Sequence, residues 1–293
     1  MTLRIDVVTL FPEIFPGPLG ASIAGRSLER GLAVLEAQDL RTWGLGRHRS
    51  VDDAPYGGGA GMVLRPEPVA GALAALRRPG SLAILLDPGG EPFSQARAHD
   101  LAGREHLILI CPRYEGVDER VRSMVDLELS IGDFVLAGGE LAAMVVCDAV
   151  LRLLPGAIDP ASVAEESFAE GLLEYPQYTR PPVFAGQGVP AVLRSGDHGA
   201  VARWRRAMAL ERTARQRPDL LGSGSPSVSG LPSTPPAGLP SAPPAGPPPA
   251  LPALPAAPAG EAAGPKARAI LRRRSSGGTR AATGPQPTPS EHE

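Results

Sequence analysis

The chain has 293 residues, with 29 basic and 31 acidic side chains and a formal net charge of −2. That length is enough for a core of ordinary size and for one or two domains. The near balance of charge excludes a polycationic nucleic-acid coat, so any contact with nucleic acid has to come from a local patch. In chain order, Leu3 to Leu10 alternates in polarity and is rich in branched residues, which predicts a first strand. Ser22 to Gly31 reads as a short helix closed by glycine, and Pro68 to Arg77 as an alanine-rich helix. Leu82 to Leu86 and Leu107 to Cys111 are short, wholly apolar runs, the pattern of buried parallel strands. Gln95 to Leu101 predicts a helix between them, and Leu141 to Leu154 a long apolar-sided helix stopped by Pro155-Gly156. Strands alternating with helices imply an α/β fold around a parallel sheet.

After Gly156 the composition changes. Asp159 to Glu174 is acidic and weakly patterned, and reads as a linker. Gly199 to Gln216 is helical and strongly basic, carrying Arg203, Arg205, Arg206, Arg212 and Arg215. From Gly222 onward the chain is mostly proline, alanine, glycine and serine, without an aromatic residue. Such a composition buries too little apolar surface to offset its ordering entropy, so 222–293 is expected to be a disordered tail. Its charged cluster, Lys266 to Arg274, reads as solvated. The two cysteines, Cys111 and Cys147, lie in apolar runs and lack zinc-site spacing, which predicts buried free thiols in a reducing compartment. Arg4 and Asp6 interrupt what would be the apolar region of a signal peptide, and no apolar run is long enough to span a bilayer. These features predict a cytoplasmic protein that engages no membrane.

The chemistry-bearing stretch runs from Arg113 to Glu140. Arg113-Tyr114-Glu115-Gly116-Val117-Asp118 follows an apolar run directly, and strands that end abruptly in charge are where α/β proteins place ligands. Ser130-Ile131-Gly132-Asp133-Phe134-Val135-Leu136-Ala137-Gly138-Gly139-Glu140 has glycines spaced for a tight bend that lies close to a flat ligand. No Lys-Ser/Thr follows the glycines, so this is neither a phosphate loop nor a dinucleotide fingerprint.

Two further segments, Asp52 to Met62 and Pro176-Gln177-Tyr178-Thr179-Arg180-Pro181, complete a set of four long motifs in order. With Leu10-Phe11-Pro12-Glu13, Arg47-His48-Arg49 and Val189 to Gly196, the sequence from about Leu3 to Leu221 closely resembles the bacterial tRNA (guanine-N1)-methyltransferases, which modify guanine 37 beside the anticodon. The resemblance implies a deep trefoil knot in an S-adenosylmethionine-binding domain over 1–158, a flexible linker over 159–175 and a small helical tRNA-binding domain over 176–221. It also implies a homodimer with a shared active site, magnesium dependence without a dedicated metal cage, tRNA as partner and no DNA.

Methylating guanine N1 requires a base to take its proton and a cation near the carbonyl oxygen where charge grows. Residue by residue, the resemblance implies Arg152 as that cation, though a helix-end arginine near the C-terminal dipole is a common structural arrangement. It implies Glu166 as the base. The family has aspartate there, so the carboxylate of this chain sits one methylene further out. Pro112 replaces the usual glycine and removes a backbone donor, and Glu174 stands where aspartate is common. On Pro112 and Glu166 together, a catalytically impaired RNA-binding homologue remains an alternative, as does a methyltransferase acting on another RNA. The implied donor site comprises Leu86, Pro88, Pro112, Tyr114, Glu115, Ser130, Ile131, Gly132, Phe134, Leu136, Gly138 and Gly139. Backbone groups of the glycine turn suit an adenine edge, and Glu115 suits a hydroxyl or ammonium. RNA contacts are implied at Arg47, His48, Arg49, Glu174, Arg180, Arg203, Arg205 and Arg206, because the planar guanidinium fork suits phosphate.

Overall fold

The computed structural model describes residues 2–222; of the tail expected over 222–293, all but Gly222 lies outside the described residues. The elements in order are β1 (Leu3–Thr9), α1 (Pro16–Leu19), α2 (Ser22–Glu29), β2 (Ala33–Asp39), β3 (Asp52–Asp53) and β4 (Val63–Leu64). Next come α3 (Pro66–Leu76), β5 (Ser81–Pro92), α4 (Gln95–Ala102), β6 (His106–Ile110), β7 (Leu127–Ser130) and α5 (Glu140–Leu151). The chain continues with α6 (Pro160–Ala164), β8 (Val183–Phe184), β9 (Gln187–Gly188) and α7 (His198–Gln216). Within the described residues, 2–178 and 191–222 form one compact unit and 179–190 another.

The central sheet has the order β2-β1-β6-β5-β7, and every pairing in it is parallel. Alternation sends successive side chains to opposite faces. On one face Ile5, Val7, Ile84, Leu107 and Leu109 pack with Ala143, Val146 and Leu151 of α5. On the other, Val8, Ala83, Leu85, Ile108 and Ile110 pack with Val69, Ala72 and Leu73 of α3. Both faces are therefore buried, which is why β5 and β6 read as unbroken apolar runs. The helix expected over Leu141 to Leu154 ends at Leu151, leaving Arg152 as its C-cap. Two strands the patterning did not single out, β2 and β7, form the edges of the sheet.

The amino edge of the sheet carries a buried polar network. His106 Nε2 lies 2.8 Å from Asp6 Oδ2, and His106 Nδ1 lies 2.6 Å from Ser81 Oγ. Arg4 and Gln38 donate to the same Asp6 carboxylate. Burial pushes the Asp6 carboxyl up, but hydrogen bonds from Arg4, Gln38 and His106 outweigh it and leave it below its ordinary value. Burial lowers the His106 imidazole. Cys111 and Cys147 are buried free thiols; burial holds Cys147 up at about 12 and raises Cys111 as well.

Candidate active site

Because the strands are parallel, β6, β5 and β7, neighbours in the sheet, end on one edge. Leu86–Pro88 at the irregularity within β5, Pro112–Gly116 after β6 and Ser130–Gly132 at the end of β7 enclose a cavity of about 250 Å³ with the loop Phe134–Gly139. All twelve residues expected at the donor site line this one cavity.

Its walls are held by unusual backbone. Tyr114 adopts φ +60 and Gly116 φ +106, which turns the chain so that Glu115 N–H reaches Met62 O at 3.0 Å. Non-glycine residues in this left-handed region concentrate at functional sites. Gly132 sits at φ +143, and its N–H is 3.2 Å from Ser130 Oγ. Gly139 N–H donates to Pro112 O at 2.9 Å. A Cβ on Gly139 would lie 2.7 Å from Pro112 Cδ and 2.8 Å from Cys111 Cα, so only glycine permits this approach. Tyr114 and Phe134 present half-exposed rings to the solvent side.

Behind the glycine turn, Glu140 is 2% exposed at the start of α5. Thr9 Oγ1 donates to Glu140 Oε1 at 2.9 Å, and Arg113 Nε lies 3.2 Å from Oε1 and 3.0 Å from Oε2. The Arg113 guanidinium also covers the Phe11 ring at 4.4 Å. These contacts, which patterning did not anticipate, tie the loop after β6 to α5 and β1. On the far wall, Arg122 bonds Asp87, Glu119 and Glu128, and Asp87 accepts from Gly89 N–H at 2.8 Å.

At the other end of α5, Arg152 and Glu166 form a two-pronged ion pair: Nη1 donates to Oε2 at 2.7 Å and Nη2 to Oε1. Both are partly exposed, and the pair raises the Arg152 guanidinium above its ordinary value. The pair lies within one chain. The stretch 159–175 holds α6 and then folds back onto α7. Leu172 and Tyr175 are buried with Ala209, and Leu173 N–H donates to Thr213 Oγ1 at 2.8 Å.

Of the residues expected to meet RNA, Arg47, His48, Arg49 and Arg203 are exposed. Arg180, in the separate 179–190 unit, is exposed too. Arg205 is half-buried and pairs with Glu165 at 3.2 Å, while Arg206 is exposed and pairs with Glu170 at the surface. Glu174 accepts from Gln177 Nε2 at 2.6 Å.

An α/β unit with a nucleoside-sized cleft at the carboxyl edge of a parallel sheet belongs to the small-ligand-binding α/β proteins. The chain is a member of the family described as tRNA (Guanine-1)-methyltransferase TrmD, which matches residues 3–223. It is 56% identical over 223 residues to a tRNA (guanine-N(1)-)-methyltransferase of Chloroflexus aggregans, covering 75% of this chain and 88% of that protein. A protein of the same name from Syntrophotalea carbinolica is 57% identical over 219 residues, covering 74% and 89%. Another from Geobacter sulfurreducens is 55% identical over 223 residues, covering 75% and 91%.

Proposed function

We infer that this chain transfers a methyl group from S-adenosylmethionine to N1 of guanine 37 in tRNA. The observation that carries this reading, in a chain of this family, is the convergence of all twelve expected donor-site residues on one cavity. The donor supplies an activated methyl on a sulfonium. The protein's part is placement and electrostatics. The half-exposed rings of Tyr114 and Phe134, the Ser130 hydroxyl and the Glu115 carboxylate give the cavity the mixed lining a nucleoside with a charged tail needs. Pro112 lacks an N–H, yet its carbonyl still fixes Gly139.

Glu166 is the base that takes the N1 proton, and Arg152 is the cation that meets the charge growing on O6. Once a guanine edge separates them, the carboxylate accepts from N1–H and the guanidinium donates to O6. The longer glutamate still reaches Arg152 with both oxygens, which favours an active enzyme over an impaired homologue. Arg47, His48, Arg49, Arg180 and Arg203 contact tRNA. The cavity and the Arg152–Glu166 pair occupy opposite ends of a helix of 12 residues, about 18 Å apart along its axis. One chain therefore holds two half-sites. Leu141 (56% exposed) and Val145 (47%) form an apolar stripe on α5 that leads through Asp148 to Arg152. This supports a homodimer in which the cavity of one protomer faces the pair of its partner. The division at 158/159 and 175/176, the trefoil knot and a cytoplasmic setting are parts of the same proposal. Among the described residues no helix is long and apolar enough to cross a membrane. Magnesium has no built site among the described residues, and no step is assigned to it.

The test is incubation of the purified chain with guanine-37 tRNA and methyl-labelled donor, followed by mapping of the modified base. Label on N1 of guanine 37 is the expected result; its absence in a tRNA that another enzyme of the family methylates overturns the reading.

A further inference from the structure

The arginines of α7 were expected to face phosphate, yet Arg205 is turned inward. Its guanidinium lies over the Tyr175 ring at 4.6 Å, and Nη1 donates to Glu165 Oε2 at 3.2 Å. Tyr175 OH donates to the same oxygen at 2.5 Å. Burial and this bond raise the Tyr175 phenol, so it keeps its proton and remains a donor. Glu165 thus has two partners, one on α7 and one at the end of the folded-back stretch, and it directly precedes Glu166.

The rest of the stretch is braced in the same way. Phe168 N–H bonds Leu172 O at 2.7 Å, and Glu174 N–H bonds Ser167 Oγ at 3.0 Å. Arg212 Nη1 donates to Glu174 O at 3.2 Å. A carboxylate on an unbraced acidic linker would sample many positions. Here the residue beside it is held from two directions, by Arg205 of α7 and by Tyr175.

We propose that Arg205 and Tyr175 are positioning residues for the proton-accepting carboxylate Glu166, acting through Glu165, and that Arg205 is not a phosphate contact. The proposal rests on the assignment of Glu166 as the base. A misplacement on the order of 1 Å costs about a hundredfold in rate, so loosening this brace should slow chemistry without weakening RNA binding.

The experiment measures single-turnover methyl transfer and the salt dependence of tRNA affinity for Tyr175→Phe, Arg205→Ala, Arg205→Lys and Glu165→Gln. The expected result is a rate lowered roughly tenfold to a hundredfold in each, with tRNA affinity and its salt slope unchanged. Arg205→Lys keeps the charge but should not restore the rate, because an ammonium loses the planar stack. A double Tyr175→Phe/Arg205→Ala variant should be no slower than the worse single variant. The proposal is overturned if Tyr175→Phe and Glu165→Gln transfer methyl at the normal rate. It is equally overturned if Arg205→Ala reduces the salt slope by about 0.7 to 0.9, the signature of one lost phosphate contact, at unchanged rate. Thermal unfolding of each variant separates a local effect from misfolding, and Glu165→Gln, which keeps the side-chain shape, serves where Tyr175→Phe unfolds. A Glu166→Gln variant of normal rate would sink the base assignment itself, whereas an inactive Glu166→Gln beside normal Tyr175→Phe and Glu165→Gln would sink only the brace.

Discussion

The two ends of α5 are built on opposite principles. At the Glu140 end the cavity is walled by loops rising from three buried parallel strands, with glycine where backbone meets backbone. At the Arg152 end the proposed base hangs on a stretch fastened to α7 by polar side-chain contacts. The first kind of site tolerates almost no change of shape. The second is positioned by side chains, so its geometry depends on individual contacts such as those of Glu165 with Arg205 and Tyr175. Backbone walls suit a ligand that always enters the same way, and an arm held by side chains suits a nucleobase drawn out of an RNA stack.

The largest expected effect falls on the Arg152 end. Glu166→Gln should lower methyl transfer by about 10²- to 10⁴-fold, the usual worth of a general base, while donor affinity measured by calorimetry stays the same. A variant that keeps its rate would remove the distinction between the two ends.

At the rigid end, Gly139→Ala should weaken donor binding on the order of a hundredfold, about 2.7 kcal/mol, because its Cβ meets Pro112 and the Cys111 backbone. This variant also sharpens the comparison. With donor held far below the weakened dissociation constant of Gly139→Ala, Gly139→Ala and Arg152→Ala should each be nearly inactive alone. Co-refolded in equal amounts as a twofold dimer, they should recover about a quarter of the normal rate, since mixed dimers contain one site with both halves intact. No recovery would mean that each protomer works by itself.

A smaller effect is expected where the arm meets its helix. Thr213 is fully buried, donates to Ala209 O at 2.7 Å and accepts from Leu173 N–H. Thr213→Val keeps the volume but strands that N–H, which should destabilise the arm by about 1–3 kcal/mol. Hydrogen exchange at Leu173 would show the loss while cavity residues keep their protection.

The smallest effect is a matter of pH. The folded state holds His106 below its ordinary value of 6.5. The unfolded chain therefore binds a proton first as the pH falls. The stability contributed by neutral His106 is fully present above about pH 6.5 and is lost progressively below it. Melting curves between pH 7 and 5 should fall less steeply for His106→Gln.

What could be read from the chain alone followed the reach of each interaction. The strands β1, β5 and β6 and the helices α3, α4 and α5 announce themselves through local apolar patterning. The edge strand β2, Ala33–Asp39, carries Glu36, Gln38 and Asp39 and is half-exposed, and β7 is only four residues long, so neither rises above its surroundings. The cavity residues were legible because their motifs are dense and resemble a family. The contacts that fix them were not: Thr9 meets Glu140 across 131 residues and Asp6 meets His106 across 100. Likewise the acidic composition of 159–175 suggested a loose linker, because nothing local marks Leu172 and Tyr175 as partners of Ala209.

The Asp6–His106–Ser81 network lies at the edge of the sheet farthest from any chemistry. Both faces of β6 are apolar, so greasy packing alone would accept β6 shifted by a residue along its neighbours. The Asp6 carboxylate would not, since any such slide takes away its hydrogen bond to the buried imidazole and strands His106 among apolar side chains, even though Arg4 and Gln38 stay with the carboxylate. One polar notch at the start of the strands thus aligns all three, and the distant loops inherit their positions from it.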